Sequence, residues 1–280
     1  MAKLTEVVRS AAEISQWWRP NVRNPATPRV SDYNHPMRFP ALYVLLLAGC
    51  SRGVPSEFRD LPGDPIIDIR IRAAKPTVRI IQVADFHFVP EALYALELEL
   101  KDGKPPTERE LTTKYATFLD GLQTFEIEQF ALLQALVKRL GVRQIFPEGL
   151  TPDNFHDFKL LESLLIDPAD GLRDPERRLF LLQYGPAFWL AAEGVVQVVP
   201  LDDMDTLMAA KPISKDGKIE PDPQAIENRH DAQLRRILET GEGTNRLVVL
   251  GANHDLSAAI RRANLDHVEY VVIFARSLEK

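Results

Sequence analysis

At 280 residues, 45% apolar and 26% charged, the chain has the composition of an ordinary globular protein and is long enough to bury one large core or at most two. A net charge of -6, with no basic stripe, argues against a nucleic-acid partner. No apolar run reaches the ~18–20 residues that span a bilayer. The single cysteine, Cys50, excludes an intrachain disulfide and any zinc site built on several thiolates.

Residues 1–36 carry scattered prolines and the adjacent Trp17 and Trp18 but no readable pattern, and stay unassigned. Residues 37–50 begin Met37-Arg38, continue through an apolar stretch and end Leu47-Ala48-Gly49-Cys50. This segment resembles a bacterial lipoprotein signal with its lipobox. The resemblance implies translation from Met37, acylation of Cys50 and a lipoprotein attached to a membrane of the cell envelope. The other reading is a short buried strand or helix with a cysteine at its end, in a cytoplasmic protein. Residues 51–74, punctuated by Gly53, Gly63 and Asp64-Pro65, read as a tether.

Residues 75–280 form the body. Residues 77–83 (TVRIIQV) are rich in β-branched side chains and predict a strand that delivers Asp85 and His87 at its C-terminal end. Lys-Asp-Gly-Lys-Pro-Pro then separates two short elements within 88–112. In residues 118–140, Phe118, Leu122, Phe125, Phe130, Leu133, Leu136, Val137 and Leu140 mark one stripe of an amphipathic helix closed by Gly141. Residues 142–146 predict a second strand, ending in Pro147-Glu148-Gly149. Asp153 reads as the N-cap of a helix towards Leu165, 167–175 as a loop, and 176–192 as a further helix. A third strand, 195–199, leads to Asp202 and Asp203, and 211–223 is an exposed loop. A helix over 223–240, capped by Gly241, precedes a fourth strand, 246–250, which runs into Gly251-Ala252-Asn253-His254 and a short helix. Residues 268–274 are the last strand. Alternating strands and helices predict a single α/β domain, a largely parallel mixed sheet flanked by helices with right-handed crossovers.

In open α/β sheets ligands bind beyond the carboxyl ends of the strands. Four predicted strands put polar groups there: Asp85 and His87, Glu148, Asp202 and Asp203, and His254 with Asp255. Imidazole nitrogens beside carboxylates suit a divalent metal such as Zn, Mn or Fe. Asp85 and His87 are two apart, so they share a face of extended chain and reach one ion together. The structural alternatives are a satisfied core histidine for His87, a helix N-terminal charge for Glu148 and a loop or cap role for one of Asp202 and Asp203. His156 and His267 read as structural or exposed.

These motifs, in this order over residues 78–274, resemble the erythromycin esterase/ChaN-like superfamily, which includes TraB- and TIKI-type proteins. That family's first Gly-x-x-His corresponds to Ala84-Asp85-Phe86-His87, its strand-end Glu to Glu148, and its late Gly-x-x-His to Gly251-Ala252-Asn253-His254. Its helical Glu-Arg-Asn motif corresponds to Glu227-Asn228-Arg229-His230-Asp231, with Arg229 matching the family's Arg. Ala84 stands where the family has Gly, and Asn228 separates the Glu from the Arg. The resemblance implies a mixed α/β fold and an esterase- or peptidase-like hydrolase acting on a small-molecule or peptide substrate. His87 and His254 then bind metal or act as base, Asp85 assists as a ligand, and Glu148 ligates metal or activates water. Arg229 stabilises developing negative charge. Two alternatives stay open. One is a non-catalytic binding lipoprotein, for haem among other ligands. The other is a calcineurin-like metallophosphoesterase, for which Asp85-Phe86-His87 and Asn253-His254-Asp255 speak but whose middle Gly-Asp block is replaced by Pro147-Glu148-Gly149.

Overall fold

Alternation of apolar side chains between two faces decides the architecture. In the computed structural model, which describes residues 55–211 and 222–279, Ile81 and Val83 point into one buried cluster while Ile80 and Ala84 point into another. A strand apolar on both faces must be covered on both, and it is. The elements in order are β1 (Ile66–Ile71), β2 (Val78–Asp85), α1 (Glu91–Asp102), α2 (Glu108–Leu140), β3 (Gln144–Pro147), α3 (Phe155–Leu161), α4 (Pro168–Gly171), α5 (Pro175–Tyr184), α6 (Pro186–Ala192), β4 (Gln197–Val198), α7 (Met204–Ala209), α8 (Pro223–Thr240), β5 (Asn245–Gly251), α9 (Ser257–Arg262) and β6 (Val268–Phe274). The sheet order is β1-β6-β2-β5-β3-β4. All neighbours are parallel except β1 and β6, which makes the predicted α/β class and largely parallel mixed sheet a description of the molecule. Helices α2, α3, α5 and α6 cover one face; α8 and α9 cover the other.

Several boundaries differ from the sequence expectation. Residues 66–71, assigned to the tether, form β1, which pairs antiparallel with β6 through a register shift between Ile69 and Ile71. Phe58 and Leu61 ahead of it are buried, and Glu57 accepts from Arg79 of β2, so the sheet domain begins before Lys75. The helix expected from Phe118 starts ten residues earlier. Thr107 and Glu110 form a reciprocal capping box, a signal that precedes the apolar stripe and acts independently of it. At 33 residues α2 is about 50 Å long, and its first turns pack on α1 through Tyr94, Tyr115 and Phe118.

The helix expected over 176–192 is two, because Gly185 has φ +76 and Pro186 carries no N–H with which to continue α5. Asp153 does not cap α3; its N-cap is Asn154, which exchanges hydrogen bonds with Thr151. The strand expected at 195–199 shortens to the two residues of β4 at the sheet margin. Residues 1–36, the signal-like segment 37–50 with Cys50, and most of the loop expected at 211–223 lie outside the described residues. Among the described residues no helix is long and apolar enough to cross a membrane.

One polar group crosses the α8-facing core. The Tyr270 hydroxyl donates to Gln82 Oε1 at 2.5 Å and accepts from the Leu256 N–H at 3.2 Å, all within the buried interior. Tyr270→Phe strips partners from both neighbours, so it is expected to lower stability by about 1–3 kcal/mol, read as a reduced urea midpoint at unchanged slope. Tyr94→Phe, whose hydroxyl makes an exposed 3.4 Å contact, is expected to change stability by less than about 0.5 kcal/mol.

Candidate functional site

Strand β5 lies between β2 and β3, so the C-terminal ends of the three strands stand side by side. Asp85 is in register with Gly251, and Pro147 with Val249. The ladder continues past the strands: the Glu148 N–H donates to Val249 O (2.9 Å) and the Ala252 N–H to Asp85 O (3.0 Å). His87 from one side and Glu148 from the other therefore meet over the end of β5, where Gly251 has no side chain. A Cβ there would lie 2.7 Å from His87 Nε2, 3.2 Å from His254 Cδ2 and 3.3 Å from Glu148 Oε2.

Glu148 is the centre. Its Oε2 lies 3.1 Å from His87 Nε2 and accepts from the Gly251 N–H at 2.7 Å. Its Oε1 lies 3.0 Å from His254 Nε2 and 2.8 Å from Arg229 Nη2. Burial alone would raise its pKa, but hydrogen bonds and charge from His254 and His87 hold the carboxyl well below its usual range. Burial would likewise discharge His87, yet Asp85 and Glu148 outweigh it and raise the imidazole to about 10, so the ring carries a proton at neutral pH. Its side chain is about half exposed (51%). The outer nitrogen, Nδ1, sits 3.4 Å from Asp85 Oδ2, and Asp85 is held by Gln129 Nε2 at 3.1 Å.

Helix α8 supports the other side. Arg229 donates from Nε and Nη2 to the two oxygens of Asp202 at 2.7 and 2.9 Å. The Gln233 amide and the Gly149 N–H, each at 2.8 Å, also donate to Asp202. His230 Nε2 lies 2.9 Å from His254 Nδ1. Burial, with the nearby His254 and Arg229, lowers the His230 pKa to about 4. The two rings share one proton across this contact, and the other nitrogen of His254, Nε2, faces Glu148.

Every residue singled out as catalytic or metal-binding from the sequence, namely Asp85, His87, Glu148, Arg229 and His254, comes to this one place. Of the neighbouring pairs, Asp202 joins it through Arg229, whereas Asp203 caps α7 by accepting from the Thr206 N–H and Asp255 pairs with Arg70. His156 and His267 lie elsewhere on the surface. Sequence reasoning gave no role to His230, Gln233, Glu126 or Gln129. The available signal was polarity on an apolar stripe: Glu126 and Gln129 interrupt the buried face of α2, and Arg229, His230 and Gln233 share the buried face of α8.

Next to His87 lies a cavity of about 90 Å³ lined by Phe86, Glu126, Gln129, Tyr184 and Phe188 among others. Burial and the nearby Asp85 push the Glu126 carboxyl well above its usual range, which favours its protonated form. Glu126 Oε2 and Gln129 Oε1 are buried without a hydrogen-bond partner among the described residues, each at a cost of about 1–3 kcal/mol.

A divalent ion is chemically suited to this donor set. Two imidazole nitrogens and a carboxylate converge, each ring is anchored through its other nitrogen as in metal-ligating histidines, and Gly251 keeps the space between them clear. Among the described residues, however, no group of three or more His, Cys, Asp or Glu is spread ready around an ion. Glu148 itself lies between the rings and accepts from both. Compared with known proteins, the chain has no match to a family model, a curated protein or a solved structure.

Glu126 gives a pH test. Its folded pKa is raised, so from about pH 4.5 upward the folded state keeps a proton that the unfolded state loses, and stability falls as pH rises, by at most about 1.4 kcal/mol per unit. Glu126→Gln removes this dependence. Its melting temperature is expected to match the parent near pH 4 and to exceed it increasingly towards pH 8.

Proposed function

We propose that the protein is a hydrolase, metal-assisted or metal-dependent, whose centre is His87, Glu148 and His254. The observation that carries this reading is the meeting of both Nε2 atoms on the two oxygens of one carboxylate. With no ion bound, His87, protonated at neutral pH and half exposed, is the acid that a substrate reaches first, and it hands its proton to the leaving group from Nε2. Asp85 keeps that ring oriented and keeps it charged. Arg229 has Nε and Nη2 committed to Asp202 and Glu148, so its charge reaches the chemistry through Glu148, which it positions. His230 holds the His254 ring in place through Nδ1.

A carboxylate held so far below its usual range is a weak base, which is the reason to include an ion. A divalent metal held by His87, His254 and Glu148, with Asp85 behind, would take the place of the His87 Nε2 proton and would itself supply Lewis acidity and acidify water.

The test uses the purified chain, metal analysis and hydrolysis of p-nitrophenyl acetate with and without added Mn or Zn. His87→Ala and His254→Ala are expected to lose the metal and to lower the rate by about 10²–10⁴. Unchanged metal content together with unchanged hydrolysis in both variants defeats the reading. Gly251→Ala pushes a methyl group against His87 Nε2 and is expected to lower the rate about 10²-fold, with the fold intact by circular dichroism.

A further inference from the structure

Between Ile80 and Ala84, strand β2 is interrupted by one polar side chain. Gln82 is fully buried, flanked by Ile81 and Val83 and in register with Val248 of β5 and Val272 of β6. Internal hydrogen bonds largely return what burial of an amide takes away, so an apolar side chain would fill this core position about as well. What the amide adds is direction. Its Nε2 donates to His254 O at 3.1 Å, and its Oε1 accepts from the Tyr270 hydroxyl at 2.5 Å. The hydroxyl in turn accepts from the Leu256 N–H at 3.2 Å. Only one polarity fits this chain, because a carbonyl can only accept and a backbone N–H can only donate.

His254 is thereby held at its backbone as well as at its ring. Its N–H donates to Gly251 O at 2.9 Å, its carbonyl takes Gln82, and the chain is caught again at Leu256. Asp255, between them, pairs with Arg70 at 3.0 Å, but its side chain is about half exposed (47%), so water screens that tie. The buried chain is the firmer one. With the backbone bonded on both sides of its Cα, the imidazole has one direction to take, and Nε2 lies 3.0 Å from Glu148 Oε1. We infer that Gln82 and Tyr270 are positioning residues for His254, the buried run from Leu256 through Tyr270 and Gln82 to the His254 carbonyl setting where the imidazole stands. Both act through the backbone of the turn. Giving His254 a part in a reaction rests on the hydrolytic reading; the placing of its ring does not.

The experiment records the imidazole Cε1–H signals of the full chain by NMR, together with the kinetics of p-nitrophenyl acetate hydrolysis. It compares the parent with Gln82→Met, Tyr270→Phe and Val268→Ala, and His254→Ala assigns the His254 signal by its loss. Met keeps the unbranched shape of Gln without its hydrogen bonds. Val268→Ala loosens the same core at the end of β6 remote from the site. Gln82→Met and Tyr270→Phe are expected to shift or broaden the His254 signal and to leave those of His156 and His267 in place. In Gln82→Met kcat is expected to fall about 10–100-fold, with KM within about twofold of the parent. Val268→Ala is expected to melt at a lower temperature with the His254 signal and kcat of the parent. Circular dichroism checks folding, and Tyr270→Phe carries the test should Gln82→Met not fold. A parent-like His254 signal in a folded Gln82→Met or Tyr270→Phe overturns the inference, as does an equal shift in Val268→Ala. A shifted signal in a chain whose parent shows no hydrolysis defeats the hydrolytic reading alone. Hydrolysis by the parent, with the signal unmoved in both variants, defeats this one alone.

Discussion

An ionised carboxylate buried at the centre of a sheet is the constraint from which the rest of the site follows. Taking Glu148 out of water costs several kcal/mol, and the fold offsets this by directing four donors at its two oxygens: His87, the Gly251 N–H, His254 and Arg229. Those donors come from the end of β2, the end of β5, the turn beyond it and helix α8. Arg229 in turn needs Asp202, which is tied back to Gly149 beside Glu148 itself. The network closes on itself, so each member is both supported by the others and required by them.

Two carboxyl groups near one another are driven to opposite states by what surrounds them. Glu148 is held ionised by its ring of hydrogen bonds and positive charge. Glu126, buried close to the negative Asp85, is pushed towards its protonated form. Divergent carboxyls of this kind divide labour in acid–base sites. Here both carboxyls border one cavity, Glu148 from the charged cluster over the strand ends and Glu126 from helix α2.

Much of this was legible in the sequence, for reasons that can be named. Strands β2, β5 and β6 are short β-branched runs buried on both faces, and α8 is bounded by Asp222-Pro223 and Gly241, so their positions followed from local chemistry. The strand-end residues were visible because a polar group that ends an apolar run is conspicuous. The break between α5 and α6 was missed because apolar periodicity continues through Gly185-Pro186 while the backbone does not. β1 was missed because the Gly- and Pro-rich stretch before it reads as linker, and its partner β6 lies some two hundred residues away. The supporting shell was hardest. Nothing local in Glu126-Ile127-Glu128-Gln129 reveals that the first and last turn inward while Glu128 meets the Arg276 N–H instead. Only the contact with Asp85 separates them.

The margins of the sheet have their own consequence. An unpaired strand is a template on which a second molecule can extend hydrogen bonding, and long flat borders invite fibrous association. At one border β4 offers only two residues. At the other, the shift between Ile69 and Ile71 interrupts the regular spacing, and Asp68 and Arg70, bonded to each other, set charges along the strand. Among the described residues neither border presents the even, uncharged run that intermolecular strand addition requires, so the geometry that completes the fold also discourages pairing of copies through these two strands.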